Sequence, residues 1–124
     1  MMNLDNFGLA TGRLVNIPAI FTNHNRSRTV RFTIAVPNSY TNADGSRSSQ
    51  FLPFTDFIPA NAKTNGIYDN LEVGDRVSVS YSISNNNYTD ADGIQHYDLS
   101  LRVDSIKYAE TRAAKEARLA ENVA

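Results

Sequence analysis

Cysteine is absent from the 124 residues, so neither disulfides nor thiolate metal sites hold the fold together, and a reducing compartment is allowed. Tryptophan is absent too, so any work that needs a large flat ring falls to six Tyr and six Phe. No run of about 18 apolar residues occurs, and Met1-Met2-Asn3-Leu4-Asp5-Asn6 has neither a basic segment nor an apolar one. The expectation is a cytoplasmic protein that is not exported and has no membrane partner. A strong charge of one sign is also missing. The formal net charge is -1, but residues 1–62 carry five Arg against three Asp, while residues 63–124 carry seven Lys+Arg against ten Asp+Glu. Any binding of phosphate must therefore come from local clustering rather than from the global field.

Signs of catalysis are as scarce. His24 and His96 have no Cys, Glu-x-x-His or paired carboxylate at ligand spacing, so no metal, no cofactor and no enzymatic activity is expected. Asp90-Ala91-Asp92-Gly93 begins like a calcium loop. An EF-hand starting there would place Gln95 at its required Gly and Leu101 at its bidentate Glu, which excludes it. The glycines are scattered, and none forms a phosphate-cradling loop.

What is present is β alternation. In residues 76–84, Val77, Val79, Tyr81 and Ile83 share one face and four serines the other. After a polar connection containing Tyr88 and the turn residues Asp90, Asp92 and Gly93, alternation resumes with Tyr97, Leu99, Leu101 and Val103 on one face. The segment reads as a long antiparallel hairpin. Upstream, residues 9–16 form a plausible first strand ended by Pro18, and residues 21–27 read as a hairpin connection. Residues 28–36 are the clearest strand of that half, with Val30, Phe32, Ile34 and Val36 opposite Arg31, Thr33 and Ala35. Residues 38–50 are loop by composition, and residues 51–62 a third strand that Pro53 and Pro59 should bulge, break or keep at an edge. Only a short helix fits before Leu71, because Asn65 and Gly66 disfavour a longer one. The fold class expected is all-β: a five-stranded OB-fold barrel (residues 1–108) with a short helix between strands 3 and 4, followed by a C-terminal helical tail (residues 109–124). In that tail Ala109, Ala113, Ala117 and Ala120 form a thin apolar stripe, and Arg112 and Glu116 stand at i,i+4 spacing.

Six stretches, in order, resemble the bacterial-type single-stranded-DNA-binding proteins and their phage and plasmid relatives. They are Gly12-Arg13-Leu14, Arg31-Phe32-Thr33-Ile34-Ala35-Val36, Thr55-Asp56-Phe57-Ile58-Pro59, Leu71-Glu72-Val73-Gly74-Asp75-Arg76-Val77, Tyr88-Thr89-Asp90-Ala91-Asp92-Gly93 and Val103-Asp104-Ser105-Ile106. The resemblance implies an OB-fold that binds single-stranded DNA without sequence preference in replication, recombination and repair, usually as a homotetramer. The chain as written ends at Ala124 without the disordered linker and acidic tip through which typical family members recruit repair enzymes, so recruitment by that route is not expected.

Binding a single strand takes π-faces for the bases and cations for the backbone. The candidate nucleic-acid-binding residues are Tyr40, Phe54, Phe57 and Tyr88, interleaved with Arg13, Arg28, Arg31, Arg47 and Lys63. Phe54 and Phe57 are open to a core role as well as a ligand role. Tyr88 is either a packing anchor for its loop or a platform, while Phe32, Tyr81 and Tyr97 belong to the core or to an interface. Two other functions fit the same pattern: a primosome-type relative whose face serves protein partners, and a structural OB assembly module.

Overall fold

The side chain of Gly12 is missing where the sheet must close on itself. A Cβ there would stand 2.3 Å from the Ala35 carbonyl oxygen, so only glycine lets the first strand run onto the third. The computed structural model describes residues 3–123, with the side chains of all of these except Arg112, Asn122 and Val123. Its strands are β1 (Gly8–Leu14), β2 (Ala19–Thr22), β3 (Arg28–Pro37), β4 (Ser49–Ile58), β5 (Arg76–Asn85), β6 (Tyr88–Thr89), β7 (Gln95–His96) and β8 (Leu99–Tyr108). One helix follows, α1 (Arg112–Val123).

Six strands lie in the order β1-β5-β8-β4-β3-β2, and β1 also pairs with β3 through Arg13↔Ala35 and Leu14↔Ile34. The five strands β1, β3, β4, β5 and β8 thereby close a barrel, with a parallel β4–β8 contact at Phe54 and Thr55. This is the OB-type barrel expected from the sequence.

The core follows from the alternation. Val30, Phe32 and Ile34 of β3 and Val77 and Val79 of β5 are buried, which turns Arg31 outward. Phe32 stacks on Phe54 with ring centroids 5.5 Å apart, and Tyr81 meets Phe54 edge-on at 5.3 Å. Offset and edge-on rings of this kind each add about 0.5–1.5 kcal/mol beyond the area they bury.

Four expectations are corrected. The short helix expected between the third and fourth barrel strands, which are β4 and β5 here, is a single 3-10 turn, Gly66–Asp69. Gly66 takes φ +63°, and Asn65 donates to Asp69 from both its backbone N–H and its side-chain amide, so the chain closes after one turn. The turn seats Tyr68 against Phe32 with its hydroxyl donating to Asp56, and burial followed by that bond raises the phenol's pKa.

The second correction concerns the connection expected over residues 21–27: its first two residues, Phe21 and Thr22, belong to strand β2, paired with β3 from Ala19↔Arg31 to Thr22↔Arg28. All four residues of β2 are exposed, so no apolar alternation announced them. Third, the strand expected over residues 51–62 ends at Ile58, ahead of Pro59, and runs unbroken through Pro53. Its β8 side is paired only at Phe54 and Thr55, which leaves the remainder of that edge able to tolerate a missing donor.

Fourth, the β5–β8 hairpin outruns the barrel. The alternation continues to Ile83, Leu99 and Tyr97, yet these are 46%, 71% and 72% exposed, so the far end of the hairpin has no core to face. A bulge where Ser80↔Ser105 gives way to Tyr81↔Val103 leaves Asp104 unpaired and moves the inward position on β8 to Ile106.

The tail is a helix, but its alanine stripe does not dock it. Ala113, Ala117 and Ala120 are exposed. Charge holds it instead. Asp75, fully buried, receives Lys115 Nζ at 3.0 Å and an Arg118 Nη at 3.1 Å, and also accepts the Glu72 backbone N–H. Thr111 caps the helix, its hydroxyl oxygen accepting the Ala114 N–H at 3.0 Å. The Arg112 and Glu116 spacing seen in the sequence falls on a side chain outside the described residues.

Candidate nucleic-acid interface

The outer surface of β3 and β4 is set by parity. With Val30 and Phe32 inward on β3, and Phe54 and Ile58 inward on β4, the outward rows are Thr29↔Phe57, Arg31↔Thr55 and Ala35↔Phe51. β2 flanks this surface on one side and β8 on the other, and each adds half of a cation–ring pair. From β8, in register with Thr55, Arg102 reaches over Phe57 with its guanidinium carbon 4.9 Å from the ring centroid. On the other flank, Arg31 stands 6.0 Å from the centroid of Phe21 on β2. Both rings are about half exposed, Phe57 at 49% and Phe21 at 52%. A groove of about 290 Å³ runs between Arg31, Phe57 and Arg102 and is bordered by Asn85, Asn86 and Ser100. A second hollow of about 420 Å³ lies on the β2 side of Arg31, against Phe21 and Pro53. Flat rings alternating with fixed cations along a polar groove can hold a ligand built of planar groups and anions.

Beyond the barrel, the hairpin carries a second aromatic feature. Tyr88 on β6 pairs with His96 on β7, and the two rings stack at 4.7 Å with planes 14° apart. His96 Nε2 hydrogen-bonds the Asp90 carboxylate at 2.7 Å. Asp90 also accepts the backbone N–H groups of Asp92 and Ile94, each at 2.9 Å. The His96 bond first, and the Ile94 bond second, hold the Asp90 carboxyl below its ordinary value. Tyr88 is 48% exposed and packs on His96 within its own hairpin tip, outside the barrel core.

The candidate residues are not brought together as one set. Arg31 and Phe57 share the groove, and Tyr88 stands on the hairpin. Tyr40 and Arg47 lie exposed on the loop between β3 and β4, and Lys63 is exposed after β4. Three others are committed elsewhere. Phe54 is 1% exposed in the core and presents no face to a ligand. Arg28 pins the connector after β4, donating to the carbonyls of Ala62 at 2.8 Å and Thr64 at 3.4 Å. Arg13 donates to the Gly74 carbonyl at 3.0 Å and faces Glu110 at 3.6 Å, on β1 rather than in the groove.

Three contributors were missed. Arg102 was legible in part: it lies on the polar parity of its strand, and the parallel β4–β8 pairing that closes the barrel sets it beside Thr55. Phe51 shares the parity of Phe57 and is 63% exposed. Phe21 had no signal, because β2 buries none of its residues. Among the described residues no cluster of His, Cys, Asp and Glu is suited to a metal ion, and no helix is long and apolar enough to cross a membrane.

The single-stranded DNA-binding protein of Staphylococcus aureus (strain MRSA252) is 25% identical over 108 residues, which cover 87% of this chain and 67% of the relative. Single-stranded DNA-binding protein 2 of Staphylococcus aureus (strain Mu50 / ATCC 700699) is 26% identical over 101 residues, 82% of this chain and 70% of the relative. The chain thus spans about two thirds of the length of the relatives that it matches. The family described as "Single-strand binding protein family" matches residues 6–109, a span that takes in the whole barrel and its hairpin and stops short of α1. On that match, the chain belongs to the single-strand binding protein family.

Proposed function

We propose that this protein binds single-stranded DNA without sequence preference and coats strands exposed during replication, recombination and repair, in the cytoplasm and without performing chemistry on them. The observation that carries the reading is the run of two adjoining hollows that share Arg31, with Phe57 and Arg102 on one side and Phe21 on the other. Each base stacked on such a ring is worth about 1–3 kcal/mol, and it does not matter which base it is, since every base has a π-face. The guanidinium groups then follow the phosphates. The barrel offers no helix to the major groove, where the base code is read.

Titration with oligo-dT, followed by the fluorescence of the six tyrosines, tests the reading without tryptophan background. Log affinity falls linearly with log salt, and Arg31→Ala and Arg102→Ala each flatten that slope by about one unit. A slope of zero in the wild type suits a structural assembly module instead. Duplex of the same length binding as tightly as single strand sinks the proposal.

The assembly expected is a homotetramer. Leu9, Ile83, Tyr97 and Leu99 are exposed apolar side chains outside the groove, and covering them is what association would achieve. Light scattering at micromolar concentration should report four chains; a monomer there removes this part of the reading.

A further inference from the structure

The hairpin tip does more than hold Tyr88 in place. An isolated tyrosine on a polar loop turns freely about two side-chain bonds, and a base that stacks on it must first immobilise it. Fixing such a side chain costs about 0.5–1.5 kcal/mol per side chain at an interface. In this protein the ring is already fixed on one side. His96 lies flat against it at 4.7 Å, and the imidazole is in turn held by its Nε2 bond to Asp90. Asp90 is fixed by two backbone donors of the same turn, Asp92 and Ile94. Asp90, His96 and Tyr88 thus form a short relay from a tight turn to a free aromatic face.

We propose that His96 is a positioning residue for single-strand binding: held by Asp90, it backs the Tyr88 ring so that one face of that ring is preset to receive a base. The proposal rests on the platform reading of Tyr88 and goes beyond it by assigning work to two residues that touch no ligand. The groups set against the imidazole are the Asp90 carboxylate and the Tyr88 ring. The hydrogen bond to Asp90 fixes the plane of the imidazole, and the stacked imidazole in turn fixes the plane of the Tyr88 phenol.

Binding of oligo-dT to the full chain, in five forms, is the test. Tyr88→Ala weakens binding about 5- to 100-fold, the loss of one stacked base. His96→Ala weakens it about 2- to 10-fold by releasing the ring. His96→Phe keeps a flat backing and restores most of that loss. With Tyr88→Ala already in place, His96→Ala costs nothing further, because there is no ring left to position. Two results overturn the proposal: His96→Ala binding like wild type while Tyr88→Ala is weakened, or His96→Ala weakening binding further in the Tyr88→Ala background, which would mean that His96 acts on the strand directly. Tyr88→Ala with undiminished affinity removes the platform reading itself, and the proposal with it. The tip pairs only with itself through β6 and β7, so none of these changes should alter the melting temperature of the barrel, and circular dichroism checks that.

Discussion

Phe54→Ala should cost about 3–5 kcal/mol of folding stability, the range for emptying a large aromatic from a packed core. Its ring is 1% exposed, stacks on Phe32 at 5.5 Å and meets Tyr81 edge-on at 5.3 Å, so truncation removes both ring contacts and leaves a cavity at the centre of the barrel. The fraction that stays folded should bind single strands nearly as before. Phe57→Ala, three residues along the same strand, should behave in the opposite way: a small change in melting temperature and a loss of affinity of about 1–3 kcal/mol. Chemical denaturation and oligo-dT titration on the pair separate the two roles. Similar stability losses in both variants would show that β4 is buried on both faces and that the groove assignment is wrong.

Replacing Lys115 and Arg118 together by alanine should be about as damaging, at about 3 kcal/mol, because it leaves the buried Asp75 carboxylate without either cation. Partial lifting of α1, which admits water to Asp75, keeps the figure at the low end of that class. The same latch sets a pH window. Burial, the largest single influence, would raise Glu110, but the bond from Arg118, the Arg76 N–H and the charges of Arg118 and Arg13 together outweigh it and hold the carboxyl below its ordinary value of 4.5. A group lowered in the folded state contributes stability above its ordinary value and loses it as pH falls through the folded one. For Lys115 burial opposes the charged form, and the bond and charge of Asp75 outweigh it, so the ammonium is raised above 10.5. A raised group contributes below its ordinary value and loses that contribution as pH rises through the folded one. Stability from the latch should therefore be flat across the neutral range and decline toward strong acid and strong alkali. The double variant should lose both limbs of that profile, and a thermal melt series from pH 3 to 11 reads them out. A profile identical to wild type would show that α1 contributes nothing to the barrel.

The barrel was legible because its strands are buried on one side, and burial on one side is what period-2 alternation records. Val30, Phe32 and Ile34 could point nowhere else. The same signal misled where alternation outlived the core, at Ile83, Leu99 and Tyr97, since a sequence does not mark where the facing layer stops. β2 escaped because it buries nothing. The helix latch escaped for another reason: Asp75 lies forty residues from Lys115, and a charge that will be buried looks the same in a sequence as one that will be solvated. Arg31 was readable by parity, opposite the buried row of its strand, whereas Phe57 stayed open between core and ligand because residues 51–62 carry aromatic side chains on both faces. Arg28 and Arg13 were not separable from Arg31, because an arginine that pins a loop and one that meets a ligand differ only in what the fold sets beside them.

Arg102 lies over the Phe57 ring at 4.9 Å, and Arg31 stands 6.0 Å from the centroid of Phe21. A half-exposed phenylalanine on an open sheet face is a place for two copies to stick, and a guanidinium laid over it presents water with a cation instead. The cover is partial, since Phe57 and Phe21 are still about half exposed beneath it. Substituting Arg102 by a small neutral residue would then leave a protein more prone to clump in storage than one that has lost the ring.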